Sequence, residues 1–255
     1  LSLRGRPGAR RTLRPRGTAA TAAPTTVERK RGATAGEEAT GPRPVLFVLA
    51  GVNGAGKSSI GGHLLADAGL TWFNPDDFAR ALVAATGCSQ RDANAEAWQE
   101  GMRRLDAAIA AGRHYAFETT LGGNTVPAKI ARAARTHDVL MWFCGLSSVD
   151  QHIARVRARV AAGGHDIPES DIRARWQRAR EHLVVLMPHL AHLQVYDNSV
   201  EVARGHAVPD PLRVLEMVAG RLVHPAPDDL RALRATPGWA QPLVEAALVA
   251  HDRRA

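Results

Sequence analysis

From residue 44 onward, apolar residues fall in short continuous runs that alternate with longer stretches of helical spacing. That alternation predicts a mainly parallel sheet joined by crossover helices. The run 45–50 is wholly apolar, as a strand buried on both faces must be, and 57–68 reads as the helix after it. Trp72-Phe73 is a short strand candidate ending in Asn74-Pro75-Asp76-Asp77, with a helix expected from about Phe78. Ser89 with Asp92 three residues on predicts a helix start, and Trp98, Met102, Leu105 and Ile109 form its expected core face before a stop at Gly112. Strands are expected at 114–117, 139–144 and 193–196, with a hairpin of 213–218 and 221–223 about Ala219-Gly220. Between them, a helix runs from Ser147-Ser148 to about Ala162 with Arg155 and Arg159 beside an apolar seam. Gly163-Gly164-His165-Asp166-Ile167-Pro168 interrupts it, and a second Arg-rich helix follows from Glu169 toward Pro188.

Residues 1–42 are different. They are rich in Arg, Ala, Thr, Gly and Pro with almost no large apolar side chain, so they are expected to be a disordered basic tail. The expected organisation is that tail followed by one domain over 43–255. The fold class expected is a P-loop NTPase: a three-layer α/β/α domain with a mainly parallel sheet, a helical lid bearing arginines, and a C-terminal hairpin and helix extension. No apolar run approaches the roughly 20 residues that cross a bilayer, so no membrane association is expected. Cys88 and Cys144 stand far apart with no clustered histidines, which fits a reducing, cytoplasmic compartment and supports neither a disulfide framework nor a zinc site. The net charge of +8 would suggest a nucleic-acid partner, but residues 1–43 hold ten Lys/Arg against three Asp/Glu. The remaining body is nearly neutral, so nucleic acid is expected at most through the tail.

The chemistry is concentrated in Gly51-Val52-Asn53-Gly54-Ala55-Gly56-Lys57-Ser58-Ser59. An apolar strand precedes it and an amphipathic helix follows, the context a phosphate-binding loop requires. Backbone N–H groups from Gly51, Asn53, Gly54, Ala55 and Gly56, with Lys57, Ser58 and Ser59, are the expected ATP-binding set, and Ser58 is the expected Mg²⁺ ligand. Lys57 is one of only three lysines in a chain that otherwise uses arginine. A compact ammonium is what a tight phosphate loop accepts. Neither an Asn-Lys-x-Asp guanine element nor a Leu-Ser-Gly-Gly-Gln transporter signature occurs. The strand 139–144 ends without the carboxylate of an ordinary Walker B motif, leaving Asp76 or Glu118 as further metal ligands.

Phosphoryl transfer to an alcohol needs a carboxylate to take the proton and cations to bear developing charge. Asp76 follows the Asn74-Pro75 turn at the edge where open α/β sheets bind ligands, and Asp77 reads as a helix cap. Glu118-Thr119-Thr120 ends another strand at the same edge, with hydroxyls suited to a polar acceptor. Arg155, Arg159 and Arg175 flank the Gly-Gly segment, which could close as a lid, and His165 within it is a candidate substrate contact. Cys88, Cys144 and the Trp98/Met102/Leu105 face are assigned to the core.

Taken together, the phosphate loop, Asn74-Pro75-Asp76, Phe117-Glu118-Thr119-Thr120, Arg155-Val156-x2-Arg159-Val160, Gly163-Gly164-His165-Asp166-Ile167-Pro168, Arg175-Trp176 and Tyr196-Asp197-Asn198-Ser199 resemble the zeta toxin-like P-loop kinases over about 45–199. The resemblance implies Asp76 as catalytic base, Lys57 on ATP, Glu118 and Thr120 in the acceptor site, and Arg159 and Arg175 as transition-state arginines. It further implies UDP-N-acetylglucosamine as acceptor and a small antitoxin as protein partner. The chain departs from the family in having Glu-Thr-Thr where Glu-Gly-Thr is usual, so nucleotide, dinucleotide and antibiotic hydroxyls stay open as acceptors. A nucleotide-dependent switch without an acceptor and a polynucleotide kinase stay open as other classes.

Overall fold

The computed structural model describes residues 41–58, 61, 72–201 and 209–253. The Arg-rich stretch 1–40, expected to be disordered, and most of the helix expected over 57–68 lie outside the described residues; Lys57, Ser58 and Gly61 are helical.

Four strands, β1 (Val45–Ala50), β2 (Tyr115–Thr119), β3 (Asp138–Gly145) and β4 (His192–Asp197), are parallel, and β5 (Leu212–Val218) and β6 (Arg221–His224) add an antiparallel hairpin. The order is β2-β1-β3-β4-β5-β6. The chain leaves β1 for one neighbour and returns to pair on its other side, which makes the carboxyl end of β1 a topological switch point. The hairpin turn has φ of 49° at Ala219 and 76° at Gly220, the paired left-handed residues that match the twist of two-residue loops.

Alternation along the strands sorts the core onto two sheet faces. Leu46, Val48, Ala50, Val139, Met141 and Phe143 pack with the helices of one face. Phe47, Leu49, Ala116, Trp142 and Cys144 form a separate apolar layer on the other. There Gly61 lies so close that a Cβ on it would meet the Leu49 side chain at 2.3 Å. Described helices thus pack on the first face and the helical residue Gly61 on the second, the three-layer arrangement expected.

The described helices of eight residues or more are α1 (Pro75–Thr86), α2 (Gln90–Ala110), α3 (Thr125–Ala133), α4 (Val149–Ala161), α5 (Glu169–Leu186) and, after a short α6 (Leu230–Ala235), α7 (Gln241–Asp252). Among the described residues, no helix is long and apolar enough to cross a membrane.

Three local expectations change. Trp72-Phe73 is not a strand: Phe73 alone bridges Phe117, donating to Ala116 O and accepting from Glu118 N at 2.9 Å each. The helix expected from Phe78 begins at Pro75, and its cap is Asn74 rather than an aspartate. Pro at the first helical position suits this, because its missing N–H would be unpaired there anyway.

The core face of α2 is also rotated. It buries Ala93, Ala97, Gly101, Leu105 and Ala108, while Trp98 is 51% exposed and Cys88 only half-buried. Small residues win this face because α1 and Phe73 lie close: Ala79, Ala93 and Ala97 share a cluster, and a Cβ on Gly101 would approach Phe73 to 2.9 Å. Beyond the hairpin, Trp239 seats its ring on Gly145 at the end of β3, where a Cβ would meet it at 2.2 Å.

Candidate active site

The phosphate loop rises from the carboxyl end of β1, and its tight path depends on glycine. Gly51 has φ of 139° and passes so near β3 that a Cβ would meet Cys144 O at 2.3 Å. Gly56 has φ of 84° and abuts the Asn198 amide, which donates to Ala55 O at 2.9 Å and clasps the loop from the end of β4. From α4, His152 holds the loop at Asn53 O, 2.8 Å from its Nδ1. Burial holds the His152 imidazole down at about 4, so it is neutral at pH 7 and Nδ1–H is the donor. The same burial pushes the Cys144 thiol up to about 12, which leaves it an inert core group.

At the loop's end, Lys57 Nζ stands 3.4 Å from Val52 O and 3.4 Å from Glu118 Oε1, with both partner side chains of the ion pair less than a tenth exposed. Ser58 Oγ donates to Glu118 Oε2 at 3.0 Å. Asn74 joins this group to the backbone of Asp76. Its Nδ2 lies 3.4 Å from Glu118 Oε2 and 3.5 Å from Ser58 Oγ, while its Oδ1 accepts the Asp76 backbone N–H at 2.9 Å. The helix cap therefore also aims Asp76.

Asp76 Oδ2 in turn lies 3.9 Å from Arg159 Nη1 and 3.9 Å from His165 Nε2. Arg159 Nη2 donates to His165 O at 3.2 Å, which ties the end of α4 to the segment that follows it. Burial lowers the pKa of His165 although the Asp76 carboxylate opposes that shift, so the ring is neutral near pH 7. Asp77, exposed, pairs with Arg80 instead and caps nothing.

Arg175 reaches from α5 to Asn53 Oδ1 at 2.9 Å and is braced by Asp171 at 3.1 Å. Arg155, by contrast, is committed to Asn198 O at 2.8 Å and Val200 O at 3.2 Å, so it supports the loop beside β4. Thr119 and Thr120 line the cleft while their hydroxyls accept the N–H groups of Leu121 and Gly122 at 3.1 and 3.4 Å. These turns hold Leu121 at φ of 53°, a costly left-handed setting for a leucine, and His182 Nδ1 secures its carbonyl at 2.6 Å. Ser59 lies outside the described residues.

Asn53, Lys57, Asp76, Glu118, Thr119, Thr120, His165 and Arg175 thus line one cleft of about 640 Å³, a size that suits a small molecule. Asn74, His152 and Asn198 organise it without having been singled out as site residues. Asn74 and Asn198 fall within the motifs that carry the resemblance; His152 sits in an apolar helix seam with no sequence signal to mark it.

The glycine cradle, Lys57 and the Ser58 hydroxyl fit a nucleoside polyphosphate. Ser58 with Glu118 is a hydroxyl and carboxylate oxygen pair of the kind Mg²⁺ takes. Among the described residues there is no group of three or more His, Cys, Asp or Glu suited to a metal held by protein alone.

Residues 46–186 match the family described as AAA domain. A 133-residue stretch is 28% identical to an uncharacterized protein of Haemophilus influenzae, spanning 49% of this chain and 88% of that one. Among solved structures, the AvrRxo1-ORF1:AvrRxo1-ORF2 complex with sulphate ions superposes with a TM-score of 0.56 at 13% identity, over 83% of this chain and 76% of the other. The complex with ATP gives 0.56 at 14% identity, over 84% and 77%. Identities this low speak for a shared fold only.

Proposed function

This chain belongs to the AAA domain family, and from that premise, together with its P-loop kinase-like fold, we propose that it is an ATP-dependent phosphotransferase acting on a hydroxyl of a small metabolite. The observation that carries the reading is Asp76: its backbone N–H is capped by Asn74, whose amide also reaches Ser58 and Glu118, and its carboxylate is set 3.9 Å from Arg159 and from His165. A carboxylate lining the cleft is what taking the proton from an acceptor hydroxyl requires.

In the proposed reaction the acceptor oxygen bonds to the γ-phosphorus, the bond from that phosphorus to the β,γ-bridging oxygen breaks, and ADP leaves with that electron pair. The acceptor's proton goes to Asp76. Lys57 binds the β- and γ-phosphate oxygens. Arg159 and Arg175 bear the charge that spreads over the transferred group. Ser58, with Glu118, would hold Mg²⁺, which when bound neutralises phosphate charge. Glu118, Thr119, Thr120 and His165 face the acceptor. Arg157 on α4 pairs with Glu169 on α5, so the two arginine-bearing helices are tied across the Gly-Gly segment. We place that segment as a lid and the catalytic unit in residues 43–255.

UDP-N-acetylglucosamine remains one acceptor within this class, and a small antitoxin one protein partner; AvrRxo1-ORF1 is likewise found with AvrRxo1-ORF2. The test is to incubate the purified chain with γ-labelled ATP and a metabolite extract, then identify the labelled product. A single phosphorylated small molecule is the expected result, and label recovered only as inorganic phosphate contradicts the reading.

A further inference from the structure

Two helices line the cleft beyond the phosphate loop. From α2 come Asn94, Trp98 and Met102, spaced four apart and so in one row, and from α5 come Ala174, Arg175 and Arg178. The small residues Ala93, Ala97 and Gly101 take the buried side of that helix, and Ala97 and Gly101 border the cleft beside the row. Trp98 is left 51% exposed, a large flat indole beside a polar cleft where burial would otherwise be strongly favoured. Arg178, exposed at the cleft, is the second group without a protein partner. Its neighbours on α5 are each committed, Arg173 to Asp150, Arg175 to Asn53 and Asp171, and Arg180 to Trp176 and Gln177. The Arg178 side chain has no hydrogen bond or ion pair among the described residues. A stacking surface and an uncommitted cation therefore share one cleft with the carboxylate of Asp76.

We infer, resting on the phosphotransfer reading above, that the acceptor carries a planar ring that stacks on Trp98 and an anionic group that Arg178 binds, in addition to the hydroxyl presented to Asp76. Ring stacking on an aromatic side chain tolerates many ring chemistries, so Trp98 selects for flatness, and Arg178 selects for charge. A plain sugar or polyol leaves both groups without partners.

Cytidine 5′-monophosphate has the ring, hydroxyls and phosphate; ribose 5-phosphate lacks the ring and cytidine lacks the phosphate. Each is titrated calorimetrically into the full chain, with a non-hydrolysable ATP analogue filling the phosphate loop. The nucleotide is expected to bind about tenfold more tightly than either fragment. Trp98→Ala should erase its advantage over ribose 5-phosphate and Arg178→Ala its advantage over cytidine, with affinity for the ATP analogue unchanged in both. Equal binding of nucleotide and ribose 5-phosphate, or a preference that survives Trp98→Ala, overturns the inference. These readings need no turnover. Ring-dependent binding without phosphorylation upholds the subsite and counts against the phosphotransferase, whereas phosphorylation indifferent to ring and charge does the reverse.

Discussion

Lys57 and Glu118 form a buried ion pair, Nζ to Oε1 at 3.4 Å, at the point where the phosphate loop meets the end of β2. Strand register makes it: Leu49 aligns with Glu118 and Ala50 with Thr119, so the residues that follow β1 curl directly over the end of its neighbour. The same carboxylate takes the Ser58 hydroxyl, so one acidic group sets both polar side chains at the loop's end.

Glu118→Gln strands the Lys57 charge in a buried place. Removing one partner of such a pair is expected to cost roughly 3 kcal/mol of stability. Because ATP brings phosphate charge to Lys57, it should restore much of the loss. Denaturant melts with and without ATP measure both, and an unchanged midpoint without nucleotide would contradict the pair's role.

His152 gives a pH dependence with a definite sign. Its folded-state pKa is depressed to about 4 from 6.5, so the unfolded chain takes up the proton first. Its contribution is whole above pH 6.5 and is lost as pH falls toward 4, by up to about 3 kcal/mol. His152→Gln should flatten the fall in stability between pH 7 and pH 5 relative to the parent chain. Equal slopes for the two proteins would show that the ring is not held neutral.

How much of this was legible in the sequence depended on whether the signal was local. β1 and β3 are continuous apolar runs, and the phosphate loop is eight consecutive residues, so all three could be read directly. Trp98 was misplaced because periodicity counts large apolar side chains, whereas α2 packs on Ala93, Ala97 and Gly101, whose smallness lets α1 and Phe73 approach. Phe73 is one bridged residue at the sheet edge, too short to leave a strand pattern. The links from Asn74 to Glu118 and from His152 to Asn53 join residues 44 and 99 positions apart, and no spacing rule records such contacts.

Arg175 holds Asn53 and Asp171 at once, and its stem lies where a Cβ on Gly122 would meet it at 2.4 Å. Arg175→Ala is expected to lower kcat by roughly 10²-fold or more with ATP affinity less affected. Arg175→Lys should rescue little, because an ammonium cannot span both partners as the planar fork does. Steady-state kinetics of the two variants decide it, and full rescue by lysine would exclude the fork.

Removing residues 1–42 is expected to leave phosphoryl transfer intact and to abolish any salt-sensitive affinity for DNA, since most of the net positive charge resides there. Turnover and DNA binding at two salt concentrations test this. Loss of turnover would place part of the catalytic unit in the tail.

Asp76→Asn tests the central claim most directly, because it keeps the side chain's shape and the Asn74 cap to its backbone N–H while removing the basic carboxylate. Transfer of label from ATP to the acceptor, ATP affinity at two Mg²⁺ concentrations and Tm are measured together on the variant. If Asp76 takes the acceptor's proton, transfer falls by about 10² to 10⁴ while ATP affinity and Tm barely move. An ATP affinity that becomes weaker and more dependent on Mg²⁺ would make Asp76 a metal ligand instead, and undiminished transfer would contradict its catalytic role outright.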